Sequence, residues 1–335
     1  MIKFIKQEIV LVISFVLALV SCFFVTPSKA YIDYIDFRTL ALLFSLMTVV
    51  AGLTRSGITD KAAQFLIGKC KGMYSVFMVL CLLPFFAAMI VTNDVALITF
   101  VPFAIGVMKS LKADRAIIPL VVIQTIGANM GSVLTPIGNP QNLYIQSYYD
   151  LSATQFVISM LPVWIVSLIL VLIMAFVAVK ITGAKKADEI KSEEIKVNKI
   201  QLVRSLLALI VCILTVFHVI KDYRITLMAV VVIMFSSIFA KVDYALLFTF
   251  VCFFIFSGNF GAMDAVRNFI TGYVDKSTFV SSLALSQVIS NVPAAVFLSS
   301  FTSDWKGLLL GVDIGGLGTP VASLASLISM KFYLK

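Results

Sequence analysis

Several apolar stretches of this chain are long enough to cross a lipid bilayer as helices. A spanning helix needs about 20 mostly apolar residues, and segment 155–179 supplies such a run without a charged residue. The 335-residue chain is 61% hydrophobic and 13% charged, with a mean hydropathy of +1.06. Soluble proteins average about 25% charged residues. These features predict an all-α, polytopic membrane protein.

One apolar run is interrupted at Gly127–Asn142, which reads GANMGSVLTPIGNPQN. A proline frees the carbonyl four residues before it, so Pro136 releases Ser132 and Pro140 releases residue 136. At membrane depth, freed backbone groups are tolerated only where protein buries them or where they line a wet cavity. The segment therefore predicts a broken helix that forms a solute or ion site.

The remaining chain divides into two halves around a hydrophilic segment. We predict helices at 8–25, 37–54, 155–179, 201–220, 225–240 and 244–260, split hairpins at 74–108 and 278–300, and broken helices at 116–147 and 306–331. The arms of the first hairpin are expected to have about fifteen residues each. The first repeat is placed at 1–179, a cytoplasmic linker at 180–199 and the second repeat at 200–335. The second repeat is expected to lack the final helix that the first one has.

Two motifs recur in the two halves. The pattern Gly-x3-Gly-x3-Thr-Pro occurs at Gly127, Gly131, Thr135 and Pro136, and again at Gly311, Gly315, Thr319 and Pro320. A hydroxyl residue followed by Asn marks the tip of each split hairpin, at Thr92-Asn93 and Ser290-Asn291. Asp36-Phe37 and Asp243-Tyr244 form a third, weaker correspondence. Such pairs are typical of transporters built from repeats.

The basic residues indicate how the two halves are oriented. With a cytoplasmic N-terminus and two re-entrant hairpins, most of the 26 Lys and Arg residues fall on the cytoplasmic side, as the positive-inside rule requires. The halves then have opposite orientations, which predicts an inverted repeat in the cytoplasmic membrane. The net charge of +9 reflects this bias and implies no nucleic acid partner.

Four stretches resemble the citrate transporter-like anion permeases of the ion transporter superfamily. They are TND (92–94), GANMGSVLTPIGNPQNLYI, SQVISNVPAAV and GVDIGGLGTPVASLASLI. That superfamily also includes divalent anion/sodium symporters, arsenical pump membrane proteins and some sodium/proton antiporters. The resemblance implies an inverted-repeat scaffold with two re-entrant hairpins, commonly a homodimer, that moves a small anionic solute through the lipid membrane by an elevator-like motion.

The hairpin tips depart from the carboxylate symporters of this superfamily at one position. Their tips read Ser-Asn-Thr and bind substrate carboxylates and sodium, whereas this chain has Thr92-Asn93-Asp94 and Ser290-Asn291-Val292. The Asn is kept twice and the third residue differs twice. The resemblance therefore implies the scaffold more firmly than it implies a di- or tricarboxylate substrate.

The polar residues of these four segments are the candidate site. Helix N-termini suit anions, C-terminal carbonyls suit cations, and amide side chains supply both donors and acceptors. We predict substrate-binding roles for Thr92, Asn93, Asn129, Thr135, Gly138, Asn139, Pro140, Asn142, Ser290, Asn291, Thr319 and Ser323. Acids within membranes are usually functional, so Asp94 and Asp313, with Asn93 and Asn291, are the predicted site for a coupling sodium ion or proton.

Other interpretations of these residues stay open. The polar groups could serve as helix–helix contacts and the Gly-x3-Gly pairs as close packing, and Asp94 could cap a half-helix. An enzyme is excluded because the chain has one His, His218, and none of the common catalytic motifs. No cofactor is expected, and no metal beyond a transported sodium. A secondary anion transporter is favoured over a channel; arsenite/antimonite efflux or sodium/proton antiport is the alternative.

Overall fold

The computed structural model describes residues 9–70, 72–182, 196–234 and 237–319, together with 322, 323, 326, 329 and 330. Within these residues the fold consists of α-helices and short 3₁₀ turns, with no β-strand. Most of the predicted linker, Pro320 and the end of the second broken helix lie outside the described residues.

The described part of the first half contains nine α-helices. They are α1 (Ile9–Phe24), α2 (Ala30–Tyr34), α3 (Phe37–Ser56), α4 (Ile58–Gly68), α5 (Met73–Val91), α6 (Asn93–Ser110), α7 (Ile117–Ser132), α8 (Pro140–Tyr148) and α9 (Ala153–Thr182). The described part of the second half contains α10 (Lys199–Val216), α11 (Tyr223–Met234), α12 (Tyr244–Gly261), α13 (Asp264–Val274), α14 (Thr278–Ile289), α15 (Asn291–Ser299) and α16 (Trp305–Gly315).

Six of these helices, α3, α5, α6, α9, α10 and α12, are long and apolar enough to cross a membrane. The longest, α9, has 30 residues and therefore extends about 45 Å at 1.5 Å per residue. A bilayer core is about 30 Å thick, so α9 must tilt or project beyond the core. Large apolar side chains are exposed along it, including Ile158, Val166 and Ile173. The chain is a multi-pass membrane protein.

Some helices differ from the predicted segments. The arms of the first hairpin, α5 and α6, have 19 and 18 residues instead of about fifteen, and α6 continues through the polar residues Lys109 and Ser110. The second hairpin agrees with its predicted bounds, with arms of 12 and 9 residues. Two eleven-residue helices, α4 and α13, were not predicted; each directly follows a spanning helix.

The two halves contain equivalent helix starts and equivalent packing. Asp36 caps α3 by accepting the Thr39 N–H at 2.9 Å, and Asp243 caps α12 by accepting the Leu246 N–H at 2.9 Å. Both caps have nearly the same backbone angles, φ −78° and ψ 88° against φ −79° and ψ 86°. Helix α1 packs on α12 while α11 packs on α3, and α5 packs on α7 while α14 packs on α16. Two-fold related repeats produce such reciprocal pairs; the opposite orientation of the halves remains a prediction.

The first hairpin arm is held against the broken helix by a proline and an amide. Pro84 lies inside α5 and cannot donate to Leu80, the residue four positions earlier. The Gln124 side chain on α7 donates its Nε2–H to that Leu80 carbonyl at 2.8 Å. A backbone acceptor that the proline leaves open is thereby satisfied inside the protein, as the membrane interior demands.

Candidate functional site

The two hairpin tips have the same local structure. Thr92 joins α5 to α6 with φ 68° and ψ 154°, and Ser290 joins α14 to α15 with φ 76° and ψ 158°. Only glycine adopts this backbone region without strain. In each tip the following Asn turns its Oδ1 back to accept the next backbone N–H at 2.9 Å, from Asp94 to Asn93 and from Val292 to Asn291. Asn93 thus accepts a first-turn N–H of α6, whereas Asp94 Oδ1 accepts no hydrogen bond from the described residues.

The threonine of each repeated motif attaches a hairpin to its own broken helix. The Thr135 hydroxyl donates to the Met89 carbonyl in the last turn of α5 at 2.6 Å. The Thr319 hydroxyl donates to the Gln287 carbonyl in the last turn of α14 at 3.4 Å. Both carbonyls belong to groups that a helix end leaves without an intrahelical partner, so the motif supplies that partner in both halves.

The break between α7 and α8 is built by amide side chains. The Asn142 Nδ2–H group donates to the carbonyl of Ser132, at 3.3 Å, and to that of Thr135, at 3.2 Å. Ser132 is the residue that Pro136 is predicted to release. Asn139 Nδ2 donates to the Ser132 hydroxyl at 2.6 Å. A side chain at Gly138 would collide with the Ser132 backbone, so the loop folds back on itself at a position that only glycine fits.

The hairpin tips and both broken helices meet through hydrogen bonds. Asn93 Nδ2 donates to Asn129 Oδ1 on α7 at 2.8 Å, and the Ser323 hydroxyl of the second half donates to the same oxygen at 3.2 Å. At the other tip, the Ala322 carbonyl accepts the Asn291 N–H at 3.0 Å and the Ser290 hydroxyl at 3.1 Å. The four predicted segments therefore form one connected region.

A small cavity of about 30 Å³ lies where the two tips face the break. A single water needs roughly 10–15 Å³ by this measure, so about two waters would fill it. The described residues that line it are Val10, Asn93, Asp94, Pro140, Gln141, Leu246, Thr249, Ser290, Asn291, Val292, Pro293 and Ser323. They include the first residues of α6, α8 and α15, so three helix N-termini converge on this space.

Two acids of this site have no basic partner in the described part of the chain, and each has one buried carboxylate oxygen without a hydrogen bond. Asp94 lines the cavity, and its Oδ1 is buried without a hydrogen-bond partner. Asp313 on α16 is 4% exposed; its Oδ1 accepts the Gln141 Nε2–H at 2.9 Å, and its Oδ2 has no partner. A buried carboxylate must be paired or neutralised to be stable. A cation or a proton can supply that neutralisation.

Sequence reasoning assigned no site role to several residues that line the cavity. Gln141 is part of the interrupted segment, but its place in the cavity wall becomes apparent only when the positions of the helix ends are known. Val10, Leu246 and Thr249 lie within continuous apolar helices, where a side chain facing a cavity resembles one facing lipid. Among the predicted residues, Gly138, Asn139 and Asn142 lie behind the cavity and shape the break, while Thr135 and Thr319 bind hairpin carbonyls.

A larger open pocket of about 750 Å³ lies at the opposite end of the second hairpin. It is bordered by Thr278 at the start of α14, by Ser299 at the end of α15, and by Tyr149, Arg267 and Lys276. The tip at Ser290 is a helix length away, about 14–18 Å at 1.5 Å per residue. We locate the site at the smaller cavity, because the three helix N-termini and Asp94 line it and Gln141 connects it to Asp313.

The chain was compared with known proteins. The family model described as Citrate transporter matches residues 1–304. An uncharacterized transporter of Methanocaldococcus jannaschii is 29% identical over 308 residues, which cover 92% of this chain and 84% of that protein. Inner membrane protein YbiR of Escherichia coli K12 is 27% identical over 310 residues, covering 90% and 82%. A putative transporter arsB of Dictyostelium discoideum is 35% identical over 112 residues, covering 33% and 19%.

These similarities, all to transporters or membrane proteins, agree with the helical membrane architecture. The protein is therefore a membrane transporter and not an enzyme. With nine-tenths of its sequence matched, the chain belongs to the citrate transporter family.

Proposed function

We propose that this protein is a secondary active transporter that carries a small anion across the cytoplasmic membrane together with a sodium ion or a proton. The observation that carries the proposal is the convergence of three helix N-termini on a cavity that is also lined by Asp94, whose Oδ1 is buried without a partner. The hairpin tips and the breaks would bind the solute and the cation. Motion of this region would alternate its access between the two sides.

The helix ends explain how the site can hold an anion without a basic residue. Each N-terminus carries the equivalent of roughly half a positive charge, and its free N–H groups bind anions. The starts of α6, α8 and α15 all line the cavity. Asn93 and Asn291 lie at two of these starts and can add amide donors once the solute enters. We infer that these groups replace the Arg or Lys that anion sites often use.

Asp94 explains why the anion would need a companion cation. Two like charges 4 Å apart repel by about 4 kcal/mol at an effective dielectric constant of 20. An anion that enters the cavity beside an ionised Asp94 meets a repulsion of that order. A sodium ion or a proton on the carboxylate removes it. The two solutes then favour each other's binding, which is the thermodynamic requirement for symport.

The attachment of each hairpin to its broken helix supports an elevator-type mechanism. Thr135 and Thr319 bind the hairpin carbonyls, and α5 and α14 pack along α7 and α16. These four segments would therefore move as one body against the remaining helices. We further propose a cytoplasmic N-terminus, because basic residues flank the first hairpin on both sides, and a homodimer surrounded by lipid.

The solute class is a di- or tricarboxylate or an inorganic anion. The family description favours a carboxylate. One observation favours the alternative of arsenite or antimonite efflux: none of the described residues lining the cavity is basic, and a weakly charged or neutral oxyacid needs no basic partner. The similarity to a protein named arsB points the same way. Sodium/proton antiport would use the two acids alone.

Reconstituted vesicles can decide among these functions. Purified protein in liposomes would be tested for counterflow of citrate, succinate, sulfate and arsenite, with and without sodium and across a pH gradient. We expect saturable exchange of one anion that depends on one cation. Sodium/proton exchange without movement of any anion would refute the anion assignment, and unitary currents in a bilayer would indicate a channel instead.

A substitution at Asp94 tests the coupling directly. Asp94→Asn removes the charge but keeps the shape, so anion exchange should persist while its dependence on the cation is lost. The matched control is Asp264→Asn, which changes an acid in the first turn of α13, outside the cavity. Unaltered sodium and pH profiles in Asp94→Asn would contradict the proposed coupling.

A further inference from the structure

We infer that Gln141 is a positioning residue that sets how tightly Asp313 holds the coupling cation. The inference rests on the proposed function, since it assumes that a cation binds at these acids during transport. It concerns one hydrogen bond that connects the two halves of the chain across the site.

Gln141 contacts both the cavity and the second acid. It lines the cavity and is only 1% exposed. Its Nε2–H donates to Asp313 Oδ1 at 2.9 Å. Gln141 lies in the first turn of α8, in the first half, whereas Asp313 lies on α16, in the second half. A change at the cavity can therefore reach Asp313 through a single side chain.

The repeat shows what is special about Asp313. The shared motif aligns Asp313 with Asn129, since each lies two residues before the second glycine, Gly315 or Gly131. Asn129 Oδ1 is neutral and accepts two hydrogen bonds, at 2.8 and 3.2 Å. Among the described residues, the carboxyl group of Asp313 has one donor, and its other oxygen is buried without a partner. The second half thus holds an ionisable, half-satisfied acceptor where the first half holds an amide oxygen with two donors.

The Gln141 bond and a bound cation stabilise the same charge. Hydrogen bonds to ionised groups are stronger than neutral ones, so the bond lowers the free energy of the ion-free carboxylate. Without the Gln141 hydrogen bond, the ion-free carboxylate is less stable. The cation-bound carboxylate loses less stabilisation, because the cation already compensates its charge. Binding therefore becomes tighter and release becomes slower. Gln141 would keep the affinity low enough for the cation to leave on the receiving side.

Removal of the donor should make cation binding tighter instead of weaker. In Gln141→Leu and Gln141→Met we expect the half-saturating cation concentration for anion uptake to fall about tenfold, with a lower maximal rate. A residue that only maintains the fold would leave this concentration unchanged or raise it. In the Asp313→Asn background, the same substitution should have little further effect, because the charge that it acts on is absent.

Gln146→Leu is the matched control. Gln146 is on the same helix, is also 1% exposed, and donates to the carbonyls of Leu151 at 3.0 Å and Val216 at 2.9 Å. It also connects the two halves but does not line the cavity. Its removal should not shift the cation concentration, even if the protein becomes less stable.

The experiment measures uptake in proteoliposomes, with sodium titrated at fixed pH in one arm and protons titrated without sodium in the other. If a variant no longer transports, the shift in melting temperature of the detergent-purified protein with cation concentration gives its affinity for the cation. A tenfold tighter affinity in the Gln141 variants alone supports the inference. If uptake by the wild type depends on a cation but Gln141→Leu and Gln146→Leu have equal cation affinities, only the inference is overturned. If uptake by the wild type depends on neither cation, both the proposed coupling and the inference are overturned.

Discussion

At Gly131 the backbone of the first hairpin lies directly against the broken helix, which allows a sharp test of the fold. A Cβ at Gly131 would collide with the carbonyl of Phe85 and lie 2.8 Å from the Phe85 Cα, all of them backbone atoms of α5. At Gly127, one turn earlier, the nearest atoms are the Cys81 carbonyl at 3.4 Å and the Phe85 Cβ at 3.7 Å. Those are ordinary contacts, so the two glycines of one motif differ in their tolerance of a methyl group.

The difference between the two alanine variants isolates the backbone contact. Alanine is favoured over glycine within a helix by about 1 kcal/mol, and both positions lie in α7. Gly127→Ala should therefore be neutral or stabilising by up to about 1 kcal/mol. Gly131→Ala gains the same helix preference, but its methyl group forces α5 and α7 apart. Overpacking of a tight interior costs about 1–3 kcal/mol. We expect Gly131→Ala to be the less stable variant by about 1–3 kcal/mol.

Thermal unfolding of the purified protein in detergent measures this order. Gly127→Ala should melt at or above the wild-type temperature and Gly131→Ala several degrees below it. Gly315→Ala, in the second half, should cost less, because a Cβ there meets mainly the Ser286 side chain, whose hydroxyl can rotate. Equal melting temperatures for Gly131→Ala and Gly127→Ala would show that α5 and α7 do not touch at Phe85 and would refute this packing.

Two further predictions concern strain and charge. Thr92→Gly should raise the melting temperature, because glycine adopts the backbone conformation of this position without strain, which is worth about 1–3 kcal/mol. Transport should become slower, because the hairpin tip becomes more flexible. A lower melting temperature would contradict the strain. Partial burial and the nearby Arg38 lower the pKa of His218, against the opposing effect of Asp150. The fold therefore favours neutral His218, and the free energy of unfolding should fall as the pH drops below about 6.5. Melting curves of His218→Asn should lack this fall in stability at low pH. The same pH profile in His218→Asn as in the wild type would contradict the prediction.

The sequence was sufficient to locate the unusual backbone of this protein. Prolines and glycines leave local traces, because they remove donors or side chains whatever the surroundings. Pro136 thus predicted an open carbonyl at Ser132, and the structure places Asn142 against it. The tips at Asn93 and Asn291 were marked by polar residues in apolar runs. Features with local physical causes were therefore visible before the fold was known.

Features that depend on contacts between distant segments could not be predicted. Hydropathy does not show that α6 continues through Lys109, or that α4 and α13 follow the spanning helices, because polar and amphipathic residues allow both a helix and a loop. The bond between Gln141 and Asp313 joins residues of opposite halves. Only the packing of α8 on α16 brings them together. The sequence predicted a site role for Asp313, but neither a site role for Gln141 nor the bond between them.

The two halves share the geometry of their hairpin tips but not the positions of their acids, and this difference fits the coupled transport proposed above. Asp94 at one tip corresponds to Val292 at the other, and Asp313 corresponds to Asn129. Each half thus contributes one acid, at a position where its partner half is neutral. In the proposed transport, the equivalent helix starts at Asn93 and Asn291 would bind the anion, while the non-equivalent acids Asp94 and Asp313 would bind the cation.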